Sequence, residues 1–477
     1  MFKNIGYKAS ALALMAVAFA ACKIPEITQP TQNNAIPGMF SNTADTTNTA
    51  NLQWKSFFTD SHLQNLIDTA LKNNQELMST LQEIEIARND IRLKKGDLLP
   101  TVGARLGAGI EKVGRYTSQG AGDASTDIEP GKEVPDALTD FTGQIYANWE
   151  VDIWKKLRNA KKAAITRYLS TVEGKNFVLT NLVSEVANSY YELLALDSQL
   201  EIVQQNIELQ KNALEIIKIQ KEATRVNELA VQKFRAEVLN SQSLEFDIRQ
   251  KITEAENKIN LLLGRYPQEI PREKGNFFAL TPAVVRTGIP SQLLANRPDI
   301  KKAELELEAS KLDVKVARAE FYPSLDITAA FGLQAFKPTY LVKLPESMLY
   351  SLAGDLAGPL VNRNAIKAEF LSANARQIQA MFDYQRIILN AYMEVSNQLS
   401  SIGNLDKSYD LKSKQVDALS KSTEIAGDLF KSARADYLEV LMTQRDALES
   451  KLDLVETKKA QLNAAINVYR DLGGGWK

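Results

Sequence analysis

A run of apolar residues at seven-residue intervals, within residues 154–220, constrains the fold more than any other feature of the sequence. The repeating positions are Leu179, Val186, Leu193, Leu200, Ile207 and Leu214. A second set lies three residues further on: Leu182, Leu196, Val203 and Ile217, with Ser189 and Gln210 in the same register. The pattern predicts one coiled-coil-like helix of roughly 100 Å, packed lengthwise on neighbours. Because Lys, Glu, Gln and Asn interrupt every turn, the helix is not a membrane span.

The same pattern occurs a second time, over residues 364–430. Its repeating positions are Met381, Ile388, Val395, Ile402, Tyr409 and Val416. A polar break follows each long helix, at 223–229 and at 433–438, and a second helix then runs to a glycine stop. Asn227 and Asp436 are separated by 209 residues, and so are Gly264 and Gly473. The chain is therefore predicted to be a tandem duplication.

Each half also contains segments in which apolar and polar residues alternate. In the first half the apolar positions are Val102, Ala104, Leu106, Ala108 and Ile110, then Phe141, Ile145, Ala147 and Trp149. In the second half they are Leu325, Ile327, Ala329, Phe331 and Leu333, and a less regular candidate covers 347–358. Segments of this length and period are typical of a transmembrane β-barrel. Four strands do not close a barrel, and lipid does not tolerate open edges, so several chains must share one barrel.

The N-terminus has the pattern of a bacterial lipoprotein. Residues 1–21 combine Lys3 and Lys8 with an apolar run, as a secretory signal does, and Cys22 follows Ala20-Ala21. Cys22 is predicted to carry a covalent lipid, which adds membrane affinity without a span. The alternative is an ordinary signal peptide beside a chance cysteine. Residues 22–58, rich in Thr, Asn, Ala and Pro at their start, are predicted to form the lipidated N-terminal tether.

Composition excludes several classes of function. The formal net charge of −1 provides no basic surface for nucleic acid. One histidine and one cysteine remove most metal-site and catalytic-triad chemistry, and His62 lies where a helix-capping or surface residue is expected. No nucleophile–base set appears, so the chain is predicted not to be an enzyme, and no cofactor apart from the lipid is expected.

These observations predict the following division of the chain. The first repeat covers 59–264, with a β-hairpin at 101–151 and a helical hairpin at 154–264. A Pro-rich linker covers 265–296. The second repeat covers 297–477, with a helix at 298–320, a β-hairpin at 323–358 and a helical hairpin at 363–472.

Several motifs resemble the TolC-type outer-membrane efflux proteins, especially the lipid-anchored branch that serves RND-type multidrug pumps. The matching stretches are 98–100 (Leu-Leu-Pro), 152–158 (Asp-Ile-Trp-Lys-Lys-Leu-Arg), 296–299 (Asn-Arg-Pro-Asp), 317–325 (Ala-Arg-Ala-Glu-Phe-Tyr-Pro-Ser-Leu), 437–445 and 468–476. They occur in the order of the family and span nearly the whole mature chain.

The resemblance implies a mainly α fold with a small membrane β part. Three chains would form one outer-membrane β-barrel, continued by a periplasmic α-helical barrel in a Gram-negative cell. Partners would be a periplasmic adaptor (membrane fusion) protein and an inner-membrane pump. The function implied is the exit duct of a tripartite efflux pump for small toxic compounds. Heavy-metal efflux and type I protein secretion remain alternatives, and a structural coiled-coil surface lipoprotein is a remote one. The cargo, the pump and the role of the loops at 113–138 and 335–346 stay open.

The resemblance also places a periplasmic gate at the two polar breaks. The candidate gate residues are Arg225, Glu228, Arg434, Asp436, Glu439 and Met442. The family's Asp after each break is Ala230 in the first half and Met442 in the second, so a cation-selective ring is not assured. We hypothesise that Arg225 or Arg434 pairs with Asp436 or Glu439 across the closed mouth. The alternatives are solvated turn charges worth little each, and for Met442 either a hydrophobic constriction or ordinary helix packing.

Overall fold

The computed structural model describes residues 24–27, 37–40, 47–358, 363–432 and 434–477. The predicted signal peptide (1–21) and Cys22 lie outside these described residues. The helices are α1 Trp54–Phe57, α2 Ser61–Asn73, α3 Gln75–Gly96, α4 Ser118–Asp123, α5 Lys156–Glu222, α6 Glu228–Leu262, α7 Gln292–Asn296, α8 Pro298–Ala319, α9 Asn364–Lys431 and α10 Tyr437–Asp471. The strands are β1 Thr101–Glu111, β2 Asp127–Glu129, β3 Lys132–Glu133, β4 Leu138–Val151, β5 Ser324–Ala335 and β6 Met348–Ala357.

The two long helices predicted from the heptad pattern are confirmed. The first, α5, spans 67 residues, and the second, α9, spans 68. Each is followed by a helix of 35 residues, α6 or α10, so each half contains the predicted long helical hairpin. Within the described residues, no helix is both long and apolar enough to cross a membrane.

The chain divides into two compact units. Among the described residues, the strand unit contains 24–27 and those within 86–168 and 305–381, and the helical unit contains 37–40, 47–85, 169–304 and those within 382–477. In the strand unit, β1, β4, β5 and β6 form one antiparallel sheet in the order β1-β4-β5-β6. Each predicted hairpin supplies two neighbouring strands, and β4 pairs with β5 to join the halves. A separate hairpin, β2–β3, lies within the loop that follows β1.

A small apolar cluster in the strand unit joins α8 to the start of α9. Val314 and Ala317 of α8 contact Phe321, Phe370 and Ala373, and Phe321 meets Phe370 edge-on at 5.6 Å between ring centroids. Ile24 and Ile27 pack against the same cluster. The N-terminal segment just after Cys22 is therefore held by apolar contacts in the strand unit.

The core of the helical unit follows the heptad positions. One large apolar cluster, here called the main core, joins α2, α5, α6 and α10; its members on α5 include Val186, Leu193, Val203 and Ile207. A smaller cluster, here called the tip core, lies at the turn ends of the two helical hairpins. Burying an apolar side chain contributes about 1.5–3 kcal/mol, so these seams supply the force that holds the long helices together.

Glycines close both helical hairpins at the same relative position. Gly264 and Gly473 follow α6 and α10 and have φ values of +66° and +89°, in the left-handed region that glycine enters without strain. A Cβ atom at Gly264 would lie 2.3 Å from the carbonyl oxygen of Asn73, and one at Gly473 would lie 2.5 Å from that of Asn296. The end of each returning helix thus abuts the start of α3 or α8 with no room for a side chain.

The residue beside each glycine contact differs between the halves. In the first half, the Asn74 amide donates to the carbonyl of Leu262 at 3.0 Å. In the second half, Arg297 replaces it and donates to the carbonyl of Asp471 at 2.9 Å. Arg297 also pairs with Asp299 and with Glu394, both at 2.7 Å. A buried charge needs such partners. The two halves therefore bind the end of the returning helix with different groups, a neutral amide in the first half and a guanidinium with two carboxylates in the second.

The prediction of a tether over 22–58 is wrong for its final part. Trp54, Phe57 and Phe58 are buried in the main core, and the ring of Phe57 stacks on that of Tyr469 at 4.1 Å. The Tyr469 hydroxyl donates to the carbonyl of Leu52 at 2.7 Å. Residues 47–58 are therefore part of the folded helical unit, because their aromatic side chains fill a space between the helices that the local composition does not reveal.

Candidate functional site: the sheet faces and the tip

One face of the four-stranded sheet is apolar and exposed. Leu106 on β1 and Leu352 on β6 are 91% and 79% exposed, and Ile145 and Phe331 between them are also exposed. Leu106, Ile145 and Phe331 occupy positions predicted from the alternation, Leu352 lies in the less regular fourth segment, and the strand register places all four on the same side. A continuous exposed apolar face of this kind marks a contact surface, and for a membrane strand that surface is lipid.

The opposite face carries a row of carboxylates. Glu150 on β4 lies opposite Asp326 on β5, and Asp326 lies opposite Asp355 on β6. Like charges on directly opposite residues destabilise a sheet. Lys156 relieves part of this repulsion, since its Nζ atom lies 2.6 Å from a Glu150 oxygen. The Ser324 hydroxyl donates to Asp326 at 2.9 Å. The polar face therefore concentrates negative charge at one end of the strands.

Glu129 connects the loops 113–138 and 335–346, which lie at the ends of the strands away from the carboxylate row. This residue of β2 accepts hydrogen bonds from Lys337 and Tyr340 in the second loop, and its other oxygen pairs with Lys132 at 2.9 Å. These hydrogen bonds, that from Lys337 first, lower the pKa of Glu129 to about 2. The carboxylate stays ionised well below neutral pH, so the contact between the loops 113–138 and 335–346 persists in acid.

The first polar break holds two of the predicted gate residues, both exposed. Glu228 begins α6, pairs with Lys221 at the end of α5 and accepts from the Gln232 amide at 2.6 Å. These contacts, that with Lys221 first, lower the pKa of the Glu228 carboxyl. The Arg225 amide donates to the carbonyl of Gln220 at 2.9 Å and so closes the end of α5. Thr224, before it, has a φ of +57°, which is strained for a β-branched residue.

The second polar break holds Arg434, Asp436 and Glu439, and all three are exposed. Asp436 is the residue before α10, but its side chain makes no capping hydrogen bond. Among the described residues, the single chain contains no ion pair of Arg225 or Arg434 with Asp436 or Glu439. The hypothesised pairing across the mouth stays a prediction, since it concerns contacts between chains.

The tip core explains why the first family position is alanine here. Ala230 is completely buried and belongs to the tip core, together with Phe234 and Val238. An ionised carboxylate at this site would be buried without a partner, which is strongly unfavourable. Met442, at the second position, is 46% exposed and lies outside both apolar clusters. The two family positions are thus in different environments.

Sequence reasoning missed the carboxylate row and the contact of Glu129. The alternation places Glu150, Asp326 and Asp355 on the polar face of their strands, but their proximity depends on the register between β4, β5 and β6. A shift of one residue in any strand would move its carboxylate to the other face. Glu129 lies in a loop without periodicity, and no sequence signal connects it to Lys337.

Comparison with known proteins relates the chain to outer-membrane channels. The profile of the family described as "Outer membrane efflux protein" matches residues 66–265 and 289–474. The chain is 28% identical over 425 residues to the pyoverdine export outer membrane protein OpmQ of Pseudomonas aeruginosa, covering 89% of this chain and 88% of that protein. It is 26% identical over 469 residues to the cation efflux system protein CusC of Escherichia coli, covering 97% and 98%.

A solved structure of CusC has the same fold. It superimposes with a TM-score of 0.81 at 25% identity, over 95% of this chain and 99% of that chain. The MtrE outer membrane channel of Neisseria gonorrhoeae in its open state also superimposes with a TM-score of 0.81, at 22% identity and over 95% and 98%. The second comparison shows the fold alone.

The carboxylate row predicts a preference for cations at one end of the sheet. We expect the double variant Asp326→Asn/Asp355→Asn to lower the cation-to-anion permeability ratio by at least about twofold, because a line of carboxylates focuses a negative potential in a pore. Glu150→Gln should have a smaller effect, since Lys156 already neutralises that carboxylate. The measurement is the reversal potential of the purified channel in a planar bilayer under a salt gradient. Glu133→Gln/Asp123→Asn, which removes the same charge from the loop after β1, should leave the ratio unchanged.

Proposed function

The chain belongs to the outer membrane efflux protein family, and on that premise we propose that three copies form one continuous exit duct. Each copy would contribute its four strands to a shared β-barrel and its helical hairpins to a periplasmic α-helical barrel. The chain itself is an outer-membrane efflux channel, and the family is one of ducts rather than of catalysts. Transport is passive, and an inner-membrane pump supplies the energy through a periplasmic adaptor.

The open edges of the sheet support the sharing of a barrel. In the part of the chain that the structure describes, β1 and β6 each pair on one side only. Backbone N–H and C=O groups without partners cost several kcal/mol each in hydrocarbon, so the edges must meet other strands. Twelve strands from three copies fall within the range of sizes that such barrels adopt. Four strands alone are too few.

The cargo that we propose is a class of small toxic compounds. Among the similar proteins, OpmQ is a pyoverdine export protein and CusC is a cation efflux protein. Metal-cation efflux is the second candidate for this chain, and the carboxylate row on the polar face of the sheet favours it. The chain is similar to efflux proteins over nearly its full length. No specific observation favours type I protein secretion or a structural surface lipoprotein.

The duct function is tested by accumulation in intact cells. Deleting the gene should raise the intracellular accumulation of several chemically distinct dyes and antibiotics at least about twofold, and a complementing copy should reverse it. Transition-metal cations should be measured in the same strains. A rise for metal ions alone would favour the cation-efflux candidate. No change for any compound or ion, with the protein present in the outer membrane, would contradict the proposed cargo class.

We also propose that Cys22 carries the lipid predicted from the sequence. Ile24 and Ile27 pack against Phe321 and Phe370, and Phe321 precedes β5 by only a few residues. The described segment that begins two residues after Cys22 is therefore packed close to the start of β5. Labelled palmitate should be incorporated into the full-length protein and lost in Cys22→Ala. Label that persists in Cys22→Ala would exclude this site, and Ser10→Ala, in the signal segment, is the control that should retain the label.

The gate is proposed to lie at Arg434, Asp436 and Glu439. These side chains are exposed and form no ion pair within the described residues of one chain, so three copies can pair with one another at the mouth. Arg434→Ala should raise the single-channel conductance by at least about twofold, because it frees carboxylates that hold the mouth closed. The matched control is Glu228→Gln, since Glu228 is already satisfied by Lys221 and Gln232 in its own chain. Unchanged conductance in Arg434→Ala would remove Arg434 from the gate.

A further inference from the structure

The main core and the tip core of the helical unit are separated by a band of polar side chains. The main core ends at Ile207 on α5, Ile248 on α6 and Leu448 on α10. The tip core begins at Leu214, Val238 and Val440 on the same three helices. Between these limits the only buried side chain is Gln210 on α5 and Ser241 on α6, and Thr443 and Gln444 are half-buried on α10. Some apolar contact remains at the edges of the band, since Leu244 packs against the main core and Ala447 is buried. The long helices are continuous across the band, but their apolar packing is reduced there.

Gln210 and Ser241 fill the seam between α5 and α6 in this band. Gln210 is completely buried and Ser241 is 1% exposed. They lie about equally far from the turn that joins the two helices, on opposite sides of it, and so at the same level of the hairpin. Both amide atoms of Gln210 and the hydroxyl of Ser241 lack a hydrogen-bond partner among the described residues.

On the side of α9 and α10 the band opens into a groove. Asn206, Thr423 and Gln444 line this groove, which has a volume of about 520 Å³. The Nδ2 atom of Asn206 and the Oε1 atom of Gln444 are buried and also lack a partner. The Thr423 hydroxyl reaches across to the carbonyl of Thr443 at 3.2 Å. Asn206, Gln210, Ser241, Thr423 and Gln444 are here called the polar layer.

Buried polar groups of this kind need hydrogen-bond partners, and the groove offers room for water beside Asn206 and Gln444. Water that bridges such groups exchanges partners at low cost when the surrounding helices shift. Interdigitated apolar side chains do not, because any displacement opens voids. We propose that the polar layer is a hydrated joint, at which the tip moves relative to the main core while both apolar cores stay intact.

A polar residue in a seam does not by itself make a joint. Ser189 occupies the same heptad position as Gln210, three heptads earlier, and its buried hydroxyl also lacks a partner. Its neighbours Val186 and Leu193 both belong to the main core, so apolar packing continues past it. Ser189 is therefore the natural control for Ser241.

The test is hydrogen–deuterium exchange of the full-length protein in detergent, with Gln210→Leu/Ser241→Ala compared with Ser189→Ala. Filling the layer with apolar side chains couples the tip to the main core. Amides in 211–237 and 426–441 should then exchange at least about fivefold more slowly in the double variant. Ser189→Ala should leave the exchange of these amides unchanged. If Gln210→Leu does not fold, Ser241→Ala alone should slow the same amides in a smaller but measurable way.

Equal slowing of the tip in the Ser189 and Ser241 variants, or no slowing in either, would overturn the joint. The second readout is efflux, and only this readout rests on the duct function. Cells carrying the double variant should accumulate more of a transported dye than cells with the Ser189→Ala variant, because the tip opens less readily. Hydrogen–deuterium exchange is measured on the purified protein and does not depend on transport. If the duct function is wrong, efflux is absent but the exchange difference remains; if the joint is wrong, the exchange difference is absent. Slowed exchange with normal efflux would show that the layer does not serve opening, and would also overturn the proposal.

Discussion

The outer strands β1 and β6 each present a row of backbone N–H and C=O groups that the described part of the chain does not pair. Hydrocarbon supplies no hydrogen bonds, so a single copy of this sheet is not a stable membrane structure. The exposed apolar face requires a lipid environment, and the open edges require more strands. Together these demands make association a condition of folding rather than an addition to it.

The two halves of the tandem repeat share one way of ending the helical hairpin. Both halves use a glycine with positive φ to end the returning helix directly against the start of another helix. Around that shared contact the side chains have diverged: Asn74 supplies a neutral amide, whereas Arg297 supplies a guanidinium that needs Asp299 and Glu394 as partners. Breaking such a buried ion pair typically costs about 3–5 kcal/mol. The second half is therefore more sensitive to single substitutions at this point.

A passive duct needs a stable wall and a mobile end. The main core supplies the wall, with apolar seams along α5, α6 and α10. The turn end is held by a smaller cluster and carries exposed charges, a strained Thr224 and the polar layer behind it. Polar side chains in a helix seam stabilise it less than interdigitated apolar ones, so the packing between the turn end and the main core is weaker than the packing within either core. Low local stability is a usual property of elements that move.

The sequence by itself determined the elements and their repetition. The heptad seams located α5 and α9, and the alternation located β1, β4 and β5 with their apolar faces, because both patterns are local periodicities. The tertiary structure decided what depends on residues distant in the chain. Register placed Glu150 beside Asp326 and Asp355, aromatic packing drew residues 47–58 into the core, and burial distinguished Ala230 from Met442. Ser189 and Gln210 occupy the same heptad position in the sequence. Only the packing around them shows that Ser189 lies within one core and Gln210 between two. Periodicity reports which face of an element is apolar, but contacts between elements determine what that face meets.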